Sequence, residues 1–217
     1  MALFLQQESD HLRWAVWKMD ESLDMLFALL PDARRKACEE TLQHFISEHR
    51  KKEWLSVRVL LYTILQEDKQ ICYTPEGKPY LEDGSAFISI SHTKGYVAVL
   101  LSPLAPVGVD IEQYSTRVQR ISDRFVRSDE QIESYQEDVT WSMLLHWSAK
   151  EAVYKCMKCP DADLRKLRLS HFMPQEKGSF RIQEFATEAQ QTFTVAYLIT
   201  SDFVLTWTMD GFEVTAI

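Results

Sequence analysis

Asp110 and Glu112 stand one residue apart in "VGVDIE", 107–112, inside an otherwise apolar run. A strand alternates its faces, so both carboxylates point one way while Val109 and Ile111 point to the other, where a core would lie. Two like charges this close repel unless something cationic sits between them. A second stretch, "LLHWSAKEAVYKCMK" (144–158), supplies another acid, Glu151, with Lys150 on its flank and Lys155 one turn beyond. Taken alone, that helix reads as a solvated face with a Glu-to-Lys pair. Brought together, Asp110, Glu112 and Glu151 would make an all-oxygen site. Hard cations such as Mg2+ choose such sites and complete their shell with water and substrate phosphates. Neighbouring lysines would neutralise further phosphate charge. The chemistry expected is displacement at phosphorus or binding of a pyrophosphate. Neither GxxxxGK[ST] nor GxGxxG occurs, so no familiar nucleotide loop accounts for it.

The elements that must position these residues are legible in outline. Residues 20–70 read as helical. "FISISHTKGYVAVLLS" (87–102) reads as two alternating strands around a Lys94-Gly95 turn. "PLAPVGVDIE" follows, its prolines and glycine marking a linker near 103–106. Residues 116–135 and 140–158 read as helices. In the second of these, Leu145, Ala149, Ala152, Val153 and Cys156 form one apolar stripe, while Glu151, Lys155 and Trp147 fall on the far side. "TFTVAYLIT" and "FVLTWTM" read as a hairpin near the end. Helices followed by strands in each half give an α+β or α/β pattern, with a duplicated unit as one possibility and no clear short repeat.

Composition narrows the class. The chain has 217 residues and a formal net charge of -8, which argues against a general nucleic-acid binder. No apolar run approaches the roughly 20 residues of a membrane helix. "MALFLQQESDHLRWAVW" lacks a basic start and makes a poor signal peptide, so the cytoplasm is the expected location. Cys156 and Cys159 form a CxxC just before Pro160, but no second pair accompanies it as structural zinc would need, and it closes a helix rather than opening one. A structural role is expected.

"GVDIE" (108–112), followed about thirty-five residues later by "WSAKEAVYK" (147–155), resembles the paired signature of the 4'-phosphopantetheinyl transferases. Upstream, "GKPY" (77–80), "ISISHTKGYVAVLL" (88–101) and "EHRKKEWLSVRVLLYTIL" (48–65) look like that family's earlier blocks, in order. The likeness spans roughly residues 45–160. The chain length resembles the two-lobed Sfp type rather than the half-size holo-(acyl-carrier-protein) synthase type that trimerises. That implies a monomer of two similar α+β lobes related by pseudo-twofold symmetry, with the active site between them. The expected lobes are 1–105, on the CoA 3'-phosphate and adenine side, and 106–217, with the metal site and the docking surface.

The resemblance implies a reaction. Coenzyme A donates its 4'-phosphopantetheine arm to a serine of an apo acyl or peptidyl carrier protein, and 3',5'-ADP leaves. Asp110, Glu112 and Glu151 would surround Mg2+, with Glu112 reaching it directly or through water. Lys150 and Lys155 match lysines near the CoA phosphates. His92, flanked by Ser91 and Thr93, matches a histidine near the 3'-phosphate. Gly77, Lys78 and Pro79 match the block lining the adenine side. Arg58 looks like the arginine paired with the 3'-phosphate, and Arg50 would assist. Asp110, Glu151 and Lys155 are the expected catalytic residues. Glu151 or a metal-bound water would take the serine proton.

Carrier proteins are typically acidic, and so is this chain, so docking needs a local basic patch. Arg117, Arg120, Arg124 and Arg127 recur at i, i+3, i+7 and i+10 in "TRVQRISDRFVRSDEQ" (116–131). On an α-helix that is one stripe, beside an apolar stripe of Val118, Ile121 and Phe125. In Sfp-type enzymes the corresponding region receives the carrier. The plain alternative is a solvated face with its arginines paired to Asp123, Asp129 or Glu130. Two other classes stay open: a different Mg2+-dependent enzyme acting on a pyrophosphate-containing nucleotide, and a non-catalytic CoA-binding interaction protein.

Overall fold

The computed structural model describes residues 3–157 and 163–216. The chain divides into two compact units, Met1–Pro103 and Leu104–Ile217. Strand pairing among the described residues is antiparallel throughout, so the class is α+β rather than α/β. No helix of the described residues is long and apolar enough to cross a membrane.

The first unit opens with two strands that the sequence reading passed over, β1 (Leu3–Glu8) and β2 (Arg13–Lys18). In β2, Trp14, Ala15, Val16 and Trp17 are all buried, so both faces are covered and the alternation that marks a half-buried strand is missing. The stretch expected to be helical is broken into α1 (Leu23–Ala28), α2 (Asp32–Leu42) and α3 (Glu48–Leu65). Pro31 stands at the N-cap position of α2 without a side-chain hydrogen bond, and the Ser47 side chain caps α3 by accepting from the Arg50 amide. Gln66, in the left-handed region at φ 54, ends α3. A short hairpin, β3 (Ile71–Tyr73) and β4 (Pro79–Leu81), leads to β5 (Phe87–Thr93) and β6 (Tyr96–Ser102). The sheet order is β1-β2-β6-β5, and α3 packs on β2 and β6. Leu55, Val59, Leu60, Val97 and Val99 centre that core.

The second unit is a five-stranded sheet of order β7-β11-β10-β9-β8, covered on one side by the helix α4 (Val139–Cys156). Its strands are β7 (Val107–Gln113), β8 (Leu167–Leu169), β9 (Lys177–Glu184), β10 (Thr192–Ile199) and β11 (Phe203–Met209). The expected apolar stripe of α4 is the buried one: Leu145, Ala149, Ala152, Val153 and Cys156 all lie in the interior. The Asp138 side chain caps α4 by accepting from the Thr140 amide. The Cys156 thiol donates to the Pro106 carbonyl at 3.3 Å, while Cys159 and Pro160 lie outside the described residues.

The expected helix over 116–135 is a correction. Only Thr116–Arg124 is helical, and it is 3₁₀. Phe125 leaves helical geometry at φ -137 and is fully buried, and the chain then runs through turns to Asp138. Phe125 belongs to the core cluster that includes Leu145 and Val153, and its ring meets that of Trp147 edge-on at 5.3 Å between centroids.

Candidate active site

β7 carries Asp110 and Glu112 on one face, opposite Thr206 and Val204 of β11, and α4 lies across that face. The close approach rests on Gly108. A Cβ there would stand 1.8 Å from the Ala152 carbonyl oxygen, so only glycine lets the helix settle this near the strand. About two turns apart along α4, the Trp147 and Lys155 side chains then meet those of β7. The Lys155 ammonium donates to Asp110 Oδ1 at 2.6 Å and to the Val109 carbonyl at 3.1 Å. Trp147 Nε1 donates to Glu112 Oε1 at 2.9 Å.

Asp110 is buried, and Glu112, Glu151 and Lys155 are half-buried. Burial first, then the Asp110 charge, pushes the Glu112 carboxyl up to about 7. The Trp147 hydrogen bond and Lys155 pull it back, and Glu151 adds to the rise. The Glu151 carboxyl is raised for the same leading reasons, burial and then Asp110, with Lys155 opposing. Three carboxylates thus share one ammonium. The set holds more negative charge than Lys155 neutralises, and its donors are all oxygens, which is the chemistry a hard divalent cation satisfies. As they stand, no three His, Cys, Asp or Glu side chains among the described residues are gathered tightly enough to hold a metal ion.

Lys150, expected at the CoA phosphates, is a correction. Its side chain is 0 % exposed and is bonded into the interior by the Glu130 carboxylate and the Phe125 carbonyl. Burial lowers its pKa, and Glu130 opposes that. Lys155 is therefore the lysine at the carboxylates.

The first unit gathers a different set. A cleft of about 140 Å³ is lined by Phe45, Arg50, Glu53, Trp54, Arg58 and His92, among others. Arg58 is 9 % exposed, its guanidinium lies 3.6 Å over the Trp54 ring, and it donates to the Trp54 carbonyl at 3.1 Å. Burial lowers its pKa, and the charge of Tyr73 and then a hydrogen bond with it oppose that; a guanidinium stays cationic across the working pH range. Glu53, which the sequence reading missed, ties the wall together. Its Oε1 lies 3.0 Å from His49 Nε2 and 3.3 Å from His92 Nδ1, and its Oε2 lies 3.5 Å from the Arg50 guanidinium. The i, i+4 and i, i+3 spacing of His49, Arg50 and Glu53 was the available signal. Ser91 is buried in β5, and Thr93 ends that strand. Gly77 forms the β3–β4 turn at φ +83, where Lys78 donates its amide to Thr74 Oγ1 and Pro79 begins β4.

The docking residues are only partly as expected. Arg117, Arg120 and Arg124 are exposed and Ile121 is half-buried. Three residues per turn align Arg117 with Arg120 but set Arg124 on another edge, so the single stripe does not form. Phe125 is in the core and offers nothing to a partner. Arg127 is bonded to Asp129 at 2.8 Å and to the Arg165 carbonyl at 2.7 Å.

No curated protein matches the chain. A family model does, over the second unit alone, including β7, α4 and every acid of the candidate centre. Residues 106–208 match the model ACPS, described as the 4'-phosphopantetheinyl transferase superfamily.

Proposed function

We propose that the protein transfers the 4'-phosphopantetheine arm of coenzyme A to a serine of an apo acyl or peptidyl carrier protein, as an Sfp-type enzyme working with Mg2+. The observation that supports this best is the meeting of Asp110 and Lys155, with Glu112 and Glu151 in electrostatic reach, inside the stretch that matches the superfamily. The serine oxygen bonds to the phosphorus bearing the pantetheine arm. The bond from that phosphorus to the bridging oxygen breaks, and 3',5'-ADP leaves with the electron pair. The serine proton passes to a carboxylate of the centre, for which Glu151 is our assignment.

Such a transfer needs positioning and charge neutralisation more than covalent work by the protein. Asp110, Glu112 and Glu151 would hold the cation, which when bound neutralises charge on the pyrophosphate. Lys155 supplies positive charge beside it. In the first unit, Arg58, held flat on Trp54, with Arg50 and His92 presents donors suited to a phosphate monoester, and we assign the 3'-phosphate there. Gly77, Lys78, Pro79, Ser91 and Thr93 are assigned to the adenine side and its surroundings. Arg117, Arg120, Ile121 and Arg124 are assigned to the carrier. Incubation with CoA, Mg2+ and a panel of apo carriers, followed by intact-mass measurement, tests the reading. A carrier gaining the mass of the phosphopantetheine arm supports it. Turnover of other pyrophosphate nucleotides with no carrier modified would replace it with the wider class. CoA binding without any turnover would replace it with an interaction protein.

A further inference from the structure

An ammonium has three donors. Around Lys150 Nζ stand three oxygens: the Phe125 carbonyl at 2.6 Å, Glu130 Oε1 at 2.7 Å and Glu130 Oε2 at 2.8 Å. All three are internal, and both side chains are 0 % exposed. Nothing on this ammonium is left for a phosphate. The carboxylate it meets is equally committed: Oε1 also accepts from the Leu169 amide at 2.7 Å, and Oε2 from the Arg127 amide at 2.9 Å. One buried ion pair thus joins α4, the turn that follows the 3₁₀ helix, and β8.

We propose that Glu130 and Lys150 are positioning residues that clamp the arginine-bearing 3₁₀ segment to α4 and so set its presentation to the carrier protein. This deepens the function proposed above and rests on its assignment of the carrier to Arg117, Arg120 and Arg124. The segment has few other ties. Gln119 donates to Thr140 Oγ1 at 2.8 Å, Val118 is buried, and at its C-terminal end Phe125 enters the core. Phe125 and Arg127, the first and third residues after the helix, are the backbone positions of this stretch that the clamp bonds. A buried pair does not have to be there for stability, because apolar groups of similar volume do as well or better. What apolar groups lack is the direction that these five charge-assisted contacts to backbone and side-chain atoms impose.

The test separates clamping from both phosphate binding and bulk stability. Removing Glu130 alone leaves a buried unpaired ammonium and risks unfolding, so the informative variant is the double Glu130→Leu, Lys150→Met, compared with Glu130→Gln. KM is measured for CoA and for an apo acyl carrier protein in turn, and amide exchange is followed at Arg127 and Leu169. Expected for the folded double variant are a thermal midpoint lowered by the backbone groups left unpaired at Phe125, Arg127 and Leu169, a several-fold higher carrier KM, a CoA KM within about twofold, and exchange at both amides faster by about tenfold or more. A wild-type carrier KM in the folded double variant, measured well below its thermal midpoint, would overturn the proposal, because a merely structural pair behaves that way. A raised CoA KM with an unchanged carrier KM would also overturn it and return Lys150 to the phosphates. If the wild type modifies no carrier, the functional reading fails instead, and unchanged exchange at the two amides would remove the clamp independently.

Discussion

Gly108 and Ala152 meet backbone to backbone: a Cβ on the glycine would lie 1.8 Å from the alanine carbonyl oxygen and 3.0 Å from the Cys156 amide nitrogen. This contact sets how near α4 lies to β7, and with it whether Lys155 reaches Asp110 and Trp147 reaches Glu112. Neither obstructing atom belongs to a flexible side chain, so Gly108→Ala must push the helix away. The expected cost is about 1–3 kcal/mol or more of stability, together with loss of transfer. Chemical denaturation and the mass assay on the same preparation check both. A Gly108→Ala variant as stable and active as the wild type would mean that α4 does not sit this close.

Asp110→Asn keeps the shape of the side chain and removes its charge. Transfer should fall by about 100-fold or more, with the thermal midpoint little changed. EDTA should stop the wild type and excess Mg2+ restore it. Undiminished transfer by Asp110→Asn in chelator would remove the carboxylate centre from the mechanism.

Arg58 stacks on Trp54 and faces the cleft that holds Arg50 and His92. Arg58→Ala should weaken binding of CoA by about 1.5–3 kcal/mol, the worth of a hydrogen bond to a charged group. Dephospho-CoA, which lacks the 3'-phosphate, should lose much less. Calorimetric titration of both donors gives the comparison, and equal losses would place Arg58 away from that phosphate.

His146 is held neutral within the fold. Its pKa is pushed down to about 3 by burial, with the Lys150 charge adding to the fall. The unfolded chain titrates the same ring near ~6.5. Below that value the unfolded state binds a proton that the folded state refuses. Stability is therefore whole above ~6.5 and is lost as pH falls toward 3, at up to about 1.4 kcal/mol per pH unit. His146→Leu should flatten this slope, seen by urea denaturation at about pH 7 and about pH 5. Parallel slopes for both proteins would show that the ring is already charged in the fold.

Arg120 and Arg124 are exposed, while Phe125 and Arg127 are engaged internally. Reversing Arg120 and Arg124 to Glu should raise the carrier KM several-fold, leave the CoA KM nearly unchanged, and flatten the dependence of carrier affinity on salt. An unchanged carrier KM with an unchanged salt slope would move docking to another surface.

The acids and Lys155 were legible because period-2 and period-3.6 spacing say which side chains share a face, and both faces proved to be as read: Asp110 with Glu112 on β7, and the Leu145–Cys156 stripe inward on α4. The 87–102 and 192–209 hairpins were equally local, each written in alternation around a turn. Spacing carries no information about what lies across from a face. The resemblance that implies a phosphate-facing Lys155 implies the same of Lys150. Only the packed chain brings Glu130, twenty residues earlier, under it and makes it an internal cation. The arginine stripe failed for a related reason: the periodicity assumed an α-helix, and burial of Phe125 ended a 3₁₀ one. Glu53 joining His49, Arg50 and His92 depends on the fold bringing His92 of β5 within 3.3 Å of Glu53 on α3, about forty residues earlier in the chain. Local sequence determines which groups can act and on which side of an element they stand. Which charge meets which is decided by long-range packing, because burial removes water as the alternative partner and forces each ion to find one in the chain.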